Sequence, residues 1–432
     1  MTSGAQAQVQ LRGPQDVYLL ASDETSFWKT EYPRHTNFAI AEMEQNFGTQ
    51  AGYGMQKNVA SLGRNGDLVS TVYLYTELPK ISYANGFTPS LSDMNASGYA
   101  NYVNSFPHAL IDTVRCLIGG IDYDTQYGES MEIMESLMAP PDKIMGEMNG
   151  RYSHEEDCGF ASSFDRKMWT PLRFWFCRFY EQALPYIALF WNTIDIELTT
   201  RTLDKLVRYH GTCAAADKAK VVLPTTGFRL SLLVNYVYLD KTERTDFGDG
   251  EHEYVYDQFQ YLGPNSFTSG TKSQSFNIRF NHPVQEILWV LQQNTVAAAN
   301  DHFNWGGVDI TSVFDDGAVK PAEPFQTARI LINNHERVVS KPAEYYRLVQ
   351  PWQSHSRFPS PDRRVYCYCF GPRPEDIFDT GSVNFSRMDN AFLDVAFQDT
   401  DALRYDGSIR IYARSKNVLK VKGGVAGKKY AA

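Results

Sequence analysis

Apolar and polar residues alternate with a period of two along most of this chain. The pattern is plain in Asp67–Leu78 (DLVSTVYLYTEL) and Phe228–Asp240 (FRLSLLVNYVYLD). It recurs in Thr113–Gly120, Arg173–Phe179, Thr193–Thr200, Phe276–Asn281, Glu286–Gln292, Ala328–Asn334, Val365–Phe370, Phe392–Phe397 and Ser408–Arg414. Successive side chains of a strand point to opposite faces, so each segment reads as a strand with one face toward a core. Gly, Pro, Asn or Asp punctuates most of the gaps. Many short strands with turn signals between them predict an all-β protein, a sandwich or barrel. Helical spacing is rarer. Tyr127–Met138 (YGESMEIMESLM) puts Met131, Met134 and Met138 on one helix face, a core-packing stripe. In DKTERTDFGDGEHEYVYDQ, Asp240 and Glu243 stand in capping-box spacing after a strong strand.

The strand pattern repeats. Val69–Tyr75 aligns with Val284–Val290, Arg115–Gly120 with Arg329–Asn334, and Ile194–Ile196 with Ile409–Ile411. The separation is nearly constant and close to half the chain. Gly119-Gly120 and Asn333-Asn334 both follow a strand and suit tight hairpin turns, because Gly and Asn tolerate positive φ. Two similar β domains in tandem follow, joined within Leu206–Gly227, where GTCAAADKAK carries little strand pattern.

Composition narrows the classes of function. The chain has 432 residues, 43% hydrophobic and 21% charged, with 26 Tyr and 26 Phe. That supports a large core, rich in residues that fit a pleated surface. A formal net charge of -9 gives no basic face for nucleic acid. The exception is the end of the chain, where Lys420, Lys422, Lys428 and Lys429 read as a solvated basic tail. The N-terminal MTSGAQAQVQL has no apolar signal region, and no apolar run reaches membrane-spanning length. A soluble, intracellular protein is expected.

Candidate chemistry is sparse. The nine histidines include no pair separated by one residue or by three. There is no HExxH, no Gly-x-Ser-x-Gly elbow and no P-loop. Asp246, Asp249, Glu251 and Glu253 are acidic neighbours whose spacing does not fit an EF-hand loop. Six cysteines, Cys116, Cys158, Cys177, Cys213, Cys367 and Cys369, are scattered and lie mostly in apolar runs. Cys367 and Cys369 would share one strand face, but they lack the two-residue gap of a zinc knuckle or a redox dithiol. They read as buried free thiols of a reducing compartment. No catalytic residue, cofactor or metal is expected.

Several stretches carry a family signature. GPQDVYLLASDETSFWKTEYPRHTNFAI (Gly13–Ile40), RNGDLVSTVYL (Arg64–Leu74), ALPYIALFWNTIDIEL (Ala183–Leu198) and VNYVYLDKTERTDF (Val234–Phe247) belong to it. So do HEYVYDQFQ (His252–Gln260), FNHPVQEILWV (Phe280–Val290), LVQPWQSH (Leu348–His355) and NFSRMDNAFL (Asn384–Leu393). In this order they resemble the major capsid proteins of large nucleocytoplasmic DNA viruses, such as algal viruses and iridoviruses. The resemblance implies two tandem eight-stranded antiparallel jelly rolls with a few short helices in connecting loops. It also implies a homotrimer, a pseudo-hexagonal capsomer that tiles an icosahedral shell. Neighbouring capsomers, minor capsid and penton proteins would be its partners. An internal viral membrane would lie nearby but not be spanned, and the genome would not be bound directly. The protein would reside in the virion, and in host cytoplasm during assembly. The alternative reading is a jelly-roll glycan-binding or host-attachment protein of the virion surface.

Combined with the repeat, the resemblance divides the chain into an N-terminal arm (1–24), a first jelly roll (25–205), a linker (206–224), a second jelly roll (225–417) and a basic tail (418–432). Arm and tail are expected on the inner side of the shell. The polar, aromatic loop Tyr83–Pro107 departs from the family wording and is expected on the outer capsomer surface or between subunits.

The stretch GSVNFSRMDN (Gly381–Asn390) holds the candidate site residues. A strand running on from Phe385 would place Phe385, Arg387, Asp389, Ala391 and Leu393 on one largely apolar, inward face. Arg387 and Asp389 would then form an internal polar clamp, with Asn384 and Ser386 bonding backbone at its entry. Asn384-Phe385-Ser386 and Asn95-Ala96-Ser97 are also glycan acceptor patterns, and Asn95 is the better placed of the two.

Overall fold

The computed structural model describes residues 34–48, 52–83, 100–139, 145–152, 155–209, 221–224, 226–306, 323–359, 363–397 and 405–430. Four four-stranded antiparallel arrangements dominate it and pair into two sandwiches. In the first sandwich, one sheet runs Phe38–Asn46, Arg229–Leu239, Leu68–Leu78, Arg166–Pro171. Its other sheet runs Asn58–Ser61, Ile194–Thr200, Ile111–Ile118, Ile121–Tyr127. In the second sandwich, one sheet runs His252–Phe267, Gly407–Lys422, Pro283–Gln293, Tyr366–Cys369, with short strands Val383–Asn384 and Val425–Lys428 attached. The other runs Ser273–Asn277, Ala391–Phe397, Phe325–Ile332, His335–Pro342.

Counted within each sandwich, the strand order is first, eighth, third, sixth in one sheet and second, seventh, fourth, fifth in the other. Both sandwiches share it. This interleaving is the jelly-roll topology, and the expected pair of tandem jelly rolls is present. The alternation that predicted the strands sets their burial. Leu68–Leu78 buries every second residue from Val72 onward, because one pleat face meets the opposite sheet. The two hairpins also form as expected. Gly119, Gly120, Asn333 and Asn334 all have positive φ, and Ile118 pairs Ile121 as Ile332 pairs His335.

Several boundaries differ from expectation. Arg229–Leu239 falls in the expected second domain, yet it inserts between Phe38–Asn46 and Leu68–Leu78 as the eighth strand of the first. The sheets change over at the helix Lys241–Asp249, not within 206–224. The third repeat pair does not hold. Ile194–Thr200 is a seventh strand and matches Ala391–Phe397, whereas Ile409–Ile411 lies in an eighth strand. Short alternating segments resemble one another, so spacing alone does not fix which strands correspond.

The basic tail is not a tail. The Gly407–Lys422 strand continues through buried Leu419 and Val421, and Val425–Lys428 returns along it. Lys422 Nζ lies 2.6 Å from Glu251 and Lys420 Nζ 3.1 Å from Glu253. Those acids therefore serve lysines. Arg173–Phe179 is not a strand either. Phe174, Trp175 and Phe176 are all buried, and Trp175–Arg178 makes a helical turn, a case period-two reading cannot separate from a short apolar run. Helix Lys241–Asp249 starts after Asp240 without a side-chain cap. Within Tyr83–Pro107, Ala100–Tyr102 is a buried strand paired with Val207–Tyr209, and Phe106 and Pro107 are buried. That end of the segment is core, not outer decoration. Residues 84–99, with Asn95, and the arm 1–24 lie outside the described residues.

Candidate functional site

One sheet of the second sandwich is covered on both faces. The strand Pro283–Gln293 is buried continuously from Val284 to Gln292, a pattern strands show when both faces are packed. Ile287, Trp289 and Leu291 enter the core of their own sandwich. Leu288 and Val290 point the other way, into the core shared with the first sandwich. The first sandwich covers this outer face with strand Ile121–Tyr127, helix Gly128–Met138 and turn Trp175–Arg178. Aromatic rings line the join: Trp175 and Tyr127 lie 4.7 Å from Tyr256 and Tyr261, and Tyr261 stacks on Tyr412 at 4.9 Å.

Into this apolar seam the chain inserts charges. Helix Gly128–Met138 is buried from Gly128 to Leu137, including Met131, Met134 and three acids, Glu129, Glu132 and Glu135. Glu129 accepts from Trp305 Nε1 at 2.9 Å and from Tyr412 Oη at 2.6 Å, and Arg410 lies 3.1 Å away. Glu132 meets His108 Nδ1 at 2.6 Å, Arg151 at 3.5 Å and Arg363. Glu135 pairs with Arg173. Burial pushes His108 down to about 3, with Arg173, Arg151 and Arg363 adding to it against Glu135. The ring is therefore neutral and donates Nδ1–H to Glu132.

A second group lies along one row of the sheet. Cross-strand register sets Cys369, Glu286 and Arg414 side by side on three adjacent strands. Glu286 and Arg414 are both fully buried and paired, Nε to Oε1 at 3.1 Å. Arg414 also donates to the Pro374 carbonyl and approaches Met138 Sδ of the first sandwich at 3.5 Å. One row along, Asp257 binds Lys416 at 2.6 Å and Arg178 of the first sandwich at 2.5 Å. Burial alone would raise the pKa of Asp257, but Arg414, Arg178 and Lys416 outweigh it and hold it below its ordinary value. Burial likewise opposes ionisation of Glu286, yet Arg414 and His355 bring it down to about 2. These carboxylates stay ionised inside the protein. Backbone joins the network where Phe259 N donates to Asp124 at 3.0 Å and Arg357 N donates to the Leu137 carbonyl at 3.1 Å.

Desolvating such charges costs several kcal/mol per ion, recovered only where partners are in place. A matched set therefore specifies one docking of the two sandwiches: sliding by one residue would strand charges without partners. Sequence reading found the Met stripe but missed the acids. The spacing Glu129, Glu132, Glu135 beside Met131 and Met134 was the available signal, since three acids on a core helix require buried cations.

The residues singled out in Gly381–Asn390 are arranged differently from expectation. Phe385–Arg387 is a 3-10 turn, so the strand does not run on from Phe385. Phe385 is buried, while Asn384, Ser386, Arg387 and Asp389 are exposed. Among the described residues neither Arg387 nor Asp389 joins an ion pair, so the charged clamp is absent. Asn384 and Ser386 do bond backbone, as expected of them. Asn384 Oδ1 accepts from Ser386 N at 3.0 Å, Ser386 Oγ from His282 N at 2.8 Å, and Asn333 Oδ1 from Asp389 N at 3.1 Å. Cys367 and Cys369 do share a strand face, and His355 joins them from a distant segment, which no spacing revealed.

Comparison with known proteins identifies this architecture. Residues 26–240 match the family described as major capsid protein N-terminus, and residues 243–427 match large eukaryotic DNA virus major capsid protein. The two matches meet at the helix where the sheets change over. The chain is 29% identical to the major capsid protein of Pyramimonas orientalis virus, covering 99% of each. It is 28% identical to that of Paramecium bursaria Chlorella virus 1, covering 99% of this chain and 100% of the relative. The crystal structure of PBCV-1 VP54 superposes with TM-score 0.75 at 25% identity, over 94% of this chain and 100% of that one. The chain thus belongs to the major capsid proteins of large eukaryotic DNA viruses, and its role is structural, in the capsid of the virion.

Proposed function

We propose that three copies of this chain form one capsomer and that these capsomers tile an icosahedral shell. The observation that supports this is the repeated strand order of two sandwiches locked by a buried, charge-matched seam. A rigid unit with two like lobes gives six roughly equivalent lobes when three copies associate around an axis. Such a near-hexagonal block packs edge to edge with others. Large exposed apolar side chains supply contact area: Trp191 is 82% exposed, Phe378 79%, Tyr180 78% and Trp352 74%. Contacts within the trimer bury more area than those between capsomers, so misplaced capsomers can leave before the shell closes.

In this reading the chain catalyses nothing. Assembly takes place in host cytoplasm, minor capsid and penton proteins bind the finished capsomer, and a viral membrane lies beneath it. The mass of the purified protein in solution tests the proposal. A stable species near three times 49.1 kDa is expected. A monomer that persists at high concentration overturns it.

A further inference from the structure

His355, Cys367, Cys369 and Glu286 converge at the buried edge of the seam. Alternation along Tyr366–Cys369 turns both thiols toward the seam side, and register sets Glu286 directly beside Cys369. His355 arrives from another direction. The π-helical turn Tyr345–Val349 and the helix Gln350–Ser354 lead into it, and Gln350 Oε1 fastens that segment by accepting from Cys369 N at 3.1 Å. The His355 side chain is fully buried.

We propose that these four side chains bind a thiophilic divalent transition-metal ion, zinc being the type, as a structural clamp. The donor atoms of His355, Cys367 and Cys369 lie within 4.8 Å of one another. His355 Nε2 is 3.4 Å from Cys369 Sγ and 3.1 Å from Glu286 Oε2, and that oxygen is 3.7 Å from Cys369 Sγ. Tetrahedral zinc with its usual N, O and S bond lengths has donor-to-donor edges of about 3.3–3.8 Å. The His355, Cys369 and Glu286 atoms already stand near that spacing, and the Cys367 thiol, which bonds the Tyr346 carbonyl at 3.6 Å, has to turn inward to complete the set. The surroundings match a metal centre too. His355 Nδ1 lies 3.0 Å from Glu375 Oε1, the carboxylate partner that orients a ligating imidazole. Glu375 is itself held by Ser356 N at 3.0 Å. Two thiolates and one carboxylate exceed the ion's charge by one, and Arg414 on the other oxygen of Glu286 supplies the balancing charge. Binding is a ligand exchange without redox change: the thiol protons, and any on the imidazole Nε2, leave to solvent as the ion enters.

The ion would tie the segment that ends at His355 and the loop holding Glu375 to the row that also carries Arg414. The test uses the full-length assembled protein, reduced, stripped with chelator and titrated with cobalt(II). Saturation at one equivalent per chain is expected, with thiolate-to-cobalt charge transfer and the intense visible bands of a tetrahedral site, both erased by zinc. Cys369→Ser is expected to remove about half of the charge-transfer band, since one of the two thiolates remains. Glu375→Gln, a milder change, is expected to weaken metal affinity by about 10–100-fold while keeping the tetrahedral spectrum. Failure of the wild-type protein to bind one equivalent overturns the proposal without reliance on any variant folding. So does a pale octahedral spectrum, or a charge-transfer band unchanged in Cys367→Ser and Cys369→Ser.

Discussion

Asp124 is a carboxylate in the wrong solvent. It is 1% exposed, accepts from Phe259 N and Gln126 Nε2, and burial raises its pKa from 3.8 to about 7 against those two hydrogen bonds. The folded state thus keeps a proton that the unfolded chain has lost between about pH 4 and 7. Stability from this group is present at low pH and is lost as pH rises through that window. Asp124→Asn has no such titration. Its melting temperature relative to wild type is expected to climb between pH 5 and pH 8; parallel curves would refute the assignment. Arg387 is the opposite case. It is exposed and without an ion pair among the described residues, so Arg387→Met is expected to change stability by no more than about 0.5 kcal/mol in urea unfolding. A loss of several kcal/mol would restore the internal clamp.

At the scale of elements, helix Gly128–Met138 is the piece on which the seam depends. Its first residue sits against the chain before it. A Cβ on Gly128 would lie 1.9 Å from the His108 carbonyl oxygen and 2.4 Å from that of Ile111. Both are backbone atoms, so relief requires the helix to move, and the helix carries Glu129, Glu132 and Glu135 into their cation pairs. Gly128→Ala is expected to cost about 3 kcal/mol, the upper range for overpacking, measured as a shift of the urea midpoint. A cost below about 1 kcal/mol would mean that the helix slides freely and that the charge pairs do not fix its place. The Gly119-Gly120 and Asn333-Asn334 turns show the contrasting situation. Their positive φ is a local demand, met by local residue choice, and was legible before any fold was known.

The whole molecule should behave as one cooperative unit. A single apolar cluster runs from Val72 and Trp175 of the first sandwich to Tyr256, Tyr412 and Leu419 of the second, and the charged seam lies within it. Calorimetry is therefore expected to give one unfolding transition, not one per sandwich. Two well-separated transitions would show that the seam holds little of the stability. The amino-acid sequence by itself determined what local physics determines: strand content from period two, two hairpins from Gly and Asn pairs, a Met-rich core helix, and a family resemblance carried by ordered motifs. Tertiary structure decided the rest. Alternation says that a strand has an apolar face, not which sheet receives it, so nothing local places Arg229–Leu239 in the first sandwich. Charge pairing is blind to sequence distance, since Tyr412 and Arg410 meet Glu129 only across the seam. The His355 cluster has the same origin: strand alternation aligned its two thiols, but only the packed fold brought the imidazole and carboxylate to them.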